Sequence, residues 1–174
     1  MKSYIKKIQS GRSMIEMLGV LAIVGVLSAG GIAGYSMAMQ SYKTNLLINR
    51  MQLLATKIAS TYKGNYNALS KQNMISSGKV TAADFINPFG GDMVINQSWA
   101  DNDLSFWVKS GSTANIPTET CIDILTTDWG KQVNLAEIYD SAGQRVASLH
   151  PPETIEAATT ACGLEEREVQ LRFR

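Results

Sequence analysis

Histidine and cysteine are nearly absent from this chain: His150 is the single histidine, and Cys121 and Cys162 are the two cysteines. No CxxC pair and no His/Cys spacing suited to a metal or to redox chemistry occurs. A lone histidine beside Pro151-Pro152 reads as a solvated loop residue, and nothing suggests a partner for a Ser or Cys nucleophile. There is no phosphate loop, no zinc signature and no internal repeat. Asp101-Asn102-Asp103 lacks the following Gly and distal Glu of an EF-hand loop and reads as a turn. Charge of one sign is also lacking: 16 Lys and Arg face 15 Asp and Glu, for a net +1. Lys2, Lys6 and Lys7 fall in residues 1–11, which hold no acid, so the rest of the chain carries −2. A near-neutral body lacks the basic face of a nucleic-acid binder, and no nucleic-acid partner is expected. No cofactor motif is visible, and these absences point away from an enzyme.

The most local absence is the most informative. Met17 to Tyr42 holds no charged residue over 26 positions, about 39 Å of helix. A bilayer core needs about 20 residues, and the apolar core of a secretory signal peptide spans only about 7–15. The segment is therefore expected to stay in the mature protein. Lysines precede it and a larger polar region follows, so residues 1–12 are expected in the cytoplasm with the C-terminal domain across the membrane. In that oxidising compartment the two cysteines read most simply as one disulfide, against the alternative of two buried free thiols. Helical spacing continues through Leu47, Met51, Leu54, Ile58 and Tyr62, with Asn45, Asn49, Gln52, Thr56, Ser60 and Lys63 on the other faces. Gly64-Asn65 is a stop signal. The pattern predicts one helix over about 14–63, roughly 75 Å if unbroken, apolar all round first and then amphipathic, with its stripe laid on a globular domain.

Glu16 sits at the mouth of the apolar segment, where a carboxylate costs free energy unless it finds a partner. A cut after Gly11 would leave Arg12 with a free α-amino group, and axially staggered neighbouring helices would pair each amine with the next Glu16. The alternative is an uncleaved signal anchor whose Glu16 snorkels to the headgroups. Gly19, Gly25, Gly30, Gly31 and Gly34 each cost about 1 kcal/mol of helix propensity relative to Ala. They read as sites of close helix packing or local unwinding, or as the ordinary glycine of a membrane helix.

The stretch GRSMIEMLGVLAIVGVLSAGGIAGY at residues 11–35, with its Lys-rich leader, Gly11 and a glutamate five positions on, resembles a class III prepilin signal. On it the chain is similar to the type IV pilin family, firmly over residues 1–50 and more loosely beyond. The resemblance implies cleavage by a prepilin peptidase between Gly11 and Arg12, N-methylation of Arg12, pairing of Glu16 with the N-terminal amine of an adjacent subunit, and a homo-oligomeric helical filament cored by apolar helices. The chain departs from the family where Arg12 stands in place of an apolar first residue; its guanidinium offers Glu16 a second partner. It also lacks the proline that kinks the helix in many members, a role open to Gly30, Gly31 and Gly34.

Downstream, residues 67–77 read as a short helix, and Asn87-Pro88 and Gly90-Gly91 as turns. Residues 93–95 and 104–108 read as strands, as do 135–139 and 144–148 flanking a hairpin turn at 140–143. Pro117 and Thr118 suit the start of a helix through Cys121 and Leu125. A further helix covers about 153–161, and 168–173 alternates as a last strand. Trp99, Trp107 and Trp129 read as core or subunit-interface residues rather than a ligand platform. This order, from NPFGG through the IP-xxx-C helix to the last strand, resembles type IVb and conjugative-plasmid pilins, although the eleven-residue leader is short for that subclass.

The expected fold is α+β, the type IV pilin fold: a long N-terminal helix, its apolar half protruding, packed on an antiparallel β-sheet head. The expected divisions are a leader at 1–11, a transmembrane and filament-core half-helix at 12–39, an amphipathic half at 40–63, and a head at 64–174 with a disulfide-bounded region at 121–162. The expected function is a structural major pilin, held in the bacterial inner membrane before assembly and in an extracellular filament after it. Its partners would be the prepilin peptidase, an assembly ATPase and an inner-membrane platform. One alternative is a pseudopilin or minor pilin of a type II secretion or DNA-uptake system. A second is an uncleaved, membrane-anchored periplasmic binding module.

Overall fold

The computed structural model describes residues 14–98, 105–111, 116–140, 142–163 and 168–174. The leader with Gly11, the adjoining Arg12, Trp99, Leu104, the Asp101–Asp103 run and Ser141 of the predicted hairpin turn lie outside the described residues. One helix, α1, covers Met14–Tyr62, close to the range its periodicity predicts. The chain divides into two compact units, one ending at Gln40 and the other Ser41–Arg174.

In the first unit α1 is apolar all round, and Leu18, Leu21, Ile23, Val26, Leu27 and Ile32 are 63% to 75% exposed. Its most apolar window has none of its residues buried. Backbone hydrogen bonding is satisfied within a helix, so only side chains decide what such a segment can sit in.

The second unit begins where one face of α1 becomes buried. Thr44, Leu47, Met51, Leu54, Ala55 and Ile58 are buried, while Asn45, Asn49, Gln52, Thr56, Ser60 and Lys63 are exposed, so the predicted stripe and polar faces both appear. The helix ends where Lys63 and Gly64 take positive φ, 49° and 91°. That left-handed exit is inexpensive only for glycine.

Among the described residues three short α-helices follow: α2 Lys71–Ser76, α3 Thr118–Thr126 and α4 Ile155–Ala161. α2 is shorter than predicted because Leu69 closes a turn onto Tyr66, its N–H 2.9 Å from that carbonyl, and Ser70 caps the helix by accepting from the Asn73 N–H. The strands are β1 Val94–Gln97, β2 Phe106–Lys109, β3 Val133–Tyr139, β4 Arg145–Leu149 and β5 Glu168–Phe173. β1 starts one residue late because the Met93 N–H is taken by the Phe85 carbonyl at 2.6 Å. Phe85 is the last residue of a 3-10 turn at Ala82–Phe85 that the sequence reading had not resolved.

All pairings are antiparallel, and the order is β1-β2-β5-β3-β4. The last strand thus lies at the centre of the sheet. Period-two alternation puts Val169, Leu171 and Phe173 on the core face of β5, opposite Phe106 and Val108 of β2 and Ala136 and Ile138 of β3. The α1 stripe joins the same core. Aromatic rings run through it: Tyr66 to Phe106 at 4.7 Å, Phe106 to Phe173 at 5.6 Å, and Trp129 edge-on to Phe173 at 6.0 Å between centroids. Trp129 is a core residue whose indole N–H donates to the Ile124 carbonyl at 2.8 Å.

Because Leu171 is fully buried at the central strand, Leu171→Ala is expected to destabilise the head by about 3 kcal/mol. Gln52→Ala on an exposed face of α1 is expected to change it by less than about 0.5 kcal/mol. Denaturant unfolding of the full chain in detergent, followed by near-UV circular dichroism, measures both.

Candidate functional site

Glu16 lies in the first turn of α1, the one acidic residue there, and is exposed. Among the described residues it has no ion-pair partner. Gly25, Gly30, Gly31 and Gly34 all sit inside α1 with helical backbone, and a Cβ placed at any of them would meet nothing within 4 Å. Nothing within the described chain therefore requires glycine there. Gly11 and Arg12, the other half of the predicted assembly site, lie outside the described residues.

Cys121 and Cys162 are joined by a disulfide, with Cα atoms 5.9 Å apart at a sequence separation of 41. Cys121 is on α3 and Cys162 caps α4, and both are fully buried. The chain-entropy account gives a bridge of this span about 4 kcal/mol. α3 is tied in turn to α1 by a buried 2.7 Å hydrogen bond between the Thr44 and Thr120 hydroxyls. Spacing gave no sign of that bond, because each threonine is unremarkable on its own helix.

The sheet face away from the core holds a polar cluster that the sequence reading also missed. Glu137 is 6% exposed, yet its carboxylate is satisfied on three sides. Arg145 donates to Oε1 at 2.7 Å, while the Tyr139 hydroxyl and Gln170 Nε2 donate to Oε2, each at 2.9 Å. A buried charge is tolerated only with such partners. Strand register assembles them: Glu137 pairs with Gln170, and Tyr139 with both Glu168 and Arg145. Burial pushes the Tyr139 phenol up, and the adjacent Glu137 adds to the shift. Nearby, Glu168 lies 3.6 Å from Lys109. Burial pushes the Glu168 carboxyl up, and the pull of Lys109 only partly opposes it. The sole sequence signal for this cluster was that Glu137 and Gln170 occupy alternating strand positions opposite the apolar ones.

His150 is exposed, as a loop residue should be, but it is not merely solvated. Its Nδ1 donates to the Asn134 carbonyl at 2.6 Å, and its backbone N–H donates to Glu153 Oε1 at 2.8 Å. Among the described residues no group of His, Cys, Asp and Glu could hold a metal ion.

A long apolar helix carrying a leading carboxylate, joined in sequence to a disulfide-stapled α+β head, matches the type IV pilin fold. The chain is 28% identical over 170 residues to the toxin coregulated pilin of Vibrio cholerae serotype O1, covering 90% of this chain and 74% of that one. It is 26% identical over 179 residues to the major structural subunit of bundle-forming pilus from Escherichia coli O127:H6, covering 90% and 89%. The same subunit from Escherichia coli O111:H- matches equally, at 26%. No family model matches the chain. The fold and the similarity over 90% of the chain both liken it to type IV pilins of the IVb kind.

The polar cluster generates two expectations. Glu137→Ala strands the Tyr139 and Gln170 donors and should cost about 2–3 kcal/mol. Arg145→Ala should cost measurably less, since its side chain is 58% exposed and water replaces the partner; unfolding titrations of the two variants rank them. For Glu168 the folded carboxyl titrates above its ordinary range. Its contribution is then fully present below the unfolded value and is lost as pH rises through the folded one. Glu168→Gln should therefore gain on the wild type as pH rises above the ordinary carboxylate range, read from unfolding midpoints at each pH.

Proposed function

We propose that this protein is the repeating structural subunit of an extracellular type IVb-like pilus, and that its mechanism is assembly rather than catalysis. The observation that carries the reading is the apolar surface of α1 before Gln40. Six large aliphatic side chains there are 63% to 75% exposed, a surface that water does not tolerate and that lipid, or other copies of itself, would cover. The curated relatives are themselves named as a pilin and as major structural subunits of a pilus.

In this reading a prepilin peptidase cuts between Gly11 and Arg12 on the cytoplasmic face of the inner membrane, and the new Arg12 amine is methylated. The helix waits in the bilayer. An assembly ATPase and its membrane platform then supply the work of extraction, since the sequence carries no nucleotide motif. During docking the Arg12 amine of one subunit meets Glu16 of its neighbour. An unpaired carboxylate at the edge of an apolar bundle is costly, so register is set by the one stagger that pairs it. Gly25, Gly30, Gly31 and Gly34, which nothing inside the chain needs, let neighbouring helices approach closely or let α1 stretch locally. The region bounded by Cys121 and Cys162 supplies much of the filament's outer face.

Two measurements test this. An intact mass from sheared surface material should lack residues 1–11 and should rise by two mass units on reduction of the disulfide. A full-length mass confined to the inner membrane would overturn the reading in favour of an anchored periplasmic module. Glu16→Ala should leave the subunit inserted in the membrane while cutting sheared filament by at least about tenfold, as loss of a pairing worth 1.4 kcal/mol or more would do; filaments at wild-type yield would remove Glu16 from assembly.

A further inference from the structure

The sheet face away from the core also bears a depression of about 440 Å³, within the range of about 300–1,000 Å³ common to small-ligand sites. Strand register builds it from two adjacent cross-strand rows. Asn96 pairs with Trp107 in one row, and Lys109, Gln170 and Glu137 align in the other. Tyr139 closes the far side. Glu137 and Gln170 are 6% and 4% exposed and form the floor. Trp107 is half-buried and Asn96 exposed, and the Arg172 guanidinium lies 5.8 Å from the Trp107 ring centroid, bracing the indole.

The chemistry of this depression selects among ligand classes. Its charges are paired on the spot, Lys109 with Glu168 and Glu137 with Arg145, so it offers no net charge to an anion or a cation. A hydrocarbon would seal the Glu137 and Gln170 side chains away from water while adding no hydrogen bonds, at a cost. What remains is a neutral molecule with one apolar face for the indole and several groups that both donate and accept. The lining matches that second need. Asn96 and Gln170 amides donate and accept, Lys109 has three donors, and Tyr139 has a phenolic oxygen. Three of the four or so acceptor sites of the Glu137 carboxylate are used inside the protein, which leaves about one for a hydroxyl. A pyranose ring has this composition, with C–H groups on one face and hydroxyls around its rim.

We propose that the depression over β1, β2, β5 and β3, walled by Trp107 and Tyr139, is a binding site for a neutral sugar residue of a saccharide chain. Trp107 stacks on the sugar's apolar face, and Asn96, Lys109, Gln170 and Glu137 take its hydroxyls. In this proposal Trp107 serves as a ligand platform rather than as a core or interface residue. The site asks nothing of filament assembly and stands whether or not the chain polymerises.

The test uses the full chain in a detergent with no sugar headgroup, such as an amine oxide, because maltoside or glucoside micelles would compete. The protein is applied to a printed array of neutral and acidic glycans, and each retained glycan is then titrated. Wild type should retain one or more neutral glycans. Trp107→Ala and Asn96→Ala should each weaken the best of them by tenfold or more, while Gln52→Ala leaves it unchanged. Trp107→Phe, which keeps an aromatic face, should lose less than Trp107→Ala; Asn96→Ala, at an exposed position, tests the site even if the tryptophan variants fail to fold. Retention of no glycan, of acidic glycans alone, or of a neutral glycan bound equally by Asn96→Ala overturns the proposal. So does selective capture on a parallel peptide array, which would make the depression a protein-docking surface.

Discussion

Backbone groups in α1 satisfy one another, so its side chains alone decide what surrounds it, and they specify two different surroundings along one helix. Up to Gln40 aliphatic side chains cover every face. From Thr44 onward they narrow to a stripe at spacings of three and four, buried in the core of the head. The head depends on this stripe, since Leu47, Met51, Leu54 and Ile58 are fully buried members of its core. The proposed filament depends on the earlier segment, since nothing in the described chain covers it. The change of pattern between Gln40 and Thr44 is thus where folding hands over to association.

Two constraints hold the rest of the head. The Cys121–Cys162 bridge joins α3 to α4, while the Thr44–Thr120 hydrogen bond and the shared core join α3 to α1. The C-terminal strand then closes the sheet from its centre, pairing with β2 on one side and β3 on the other. A small domain whose middle strand is β5 acquires its core only once β5 is in place between β2 and β3. Its two faces divide the work. The inner one is apolar and closed by α1, and the outer one carries paired charges and the Trp107–Tyr139 depression.

Much of this was legible in the sequence wherever a signal runs along the chain. The α1 stripe, the Gly64 exit and the β3–β4 hairpin follow from periodicity and turn chemistry acting over a few residues. The cysteine pair was legible because only two cysteines were available. α2 and β1 were misplaced by a few residues because their ends are set by hydrogen bonds from outside the element, the Tyr66–Leu69 turn and the Phe85 carbonyl. His150 read as solvated because nothing local reveals that the Asn134 carbonyl lies beside it. Nothing local marks Glu137 and Gln170 as buried; that they bury each other depends on β3 and β5 being neighbours.

The sequence by itself determined that the chain has an uncharged membrane-length helix with a carboxylate at its mouth, that the helix turns amphipathic, and that an α+β head with one cysteine pair follows. Each is written in spacing or composition, and each survives any arrangement of the later segments. Only the tertiary structure decided the strand order, the central place of β5, the partners of Glu137 and the setting of Trp107 beside Asn96 and Arg172. Alternation states which side chains share a face but not which strand lies next. That choice is made by pairing segments far apart in the chain, such as Phe106 with Phe173, where the summed packing of the whole core outweighs any local preference.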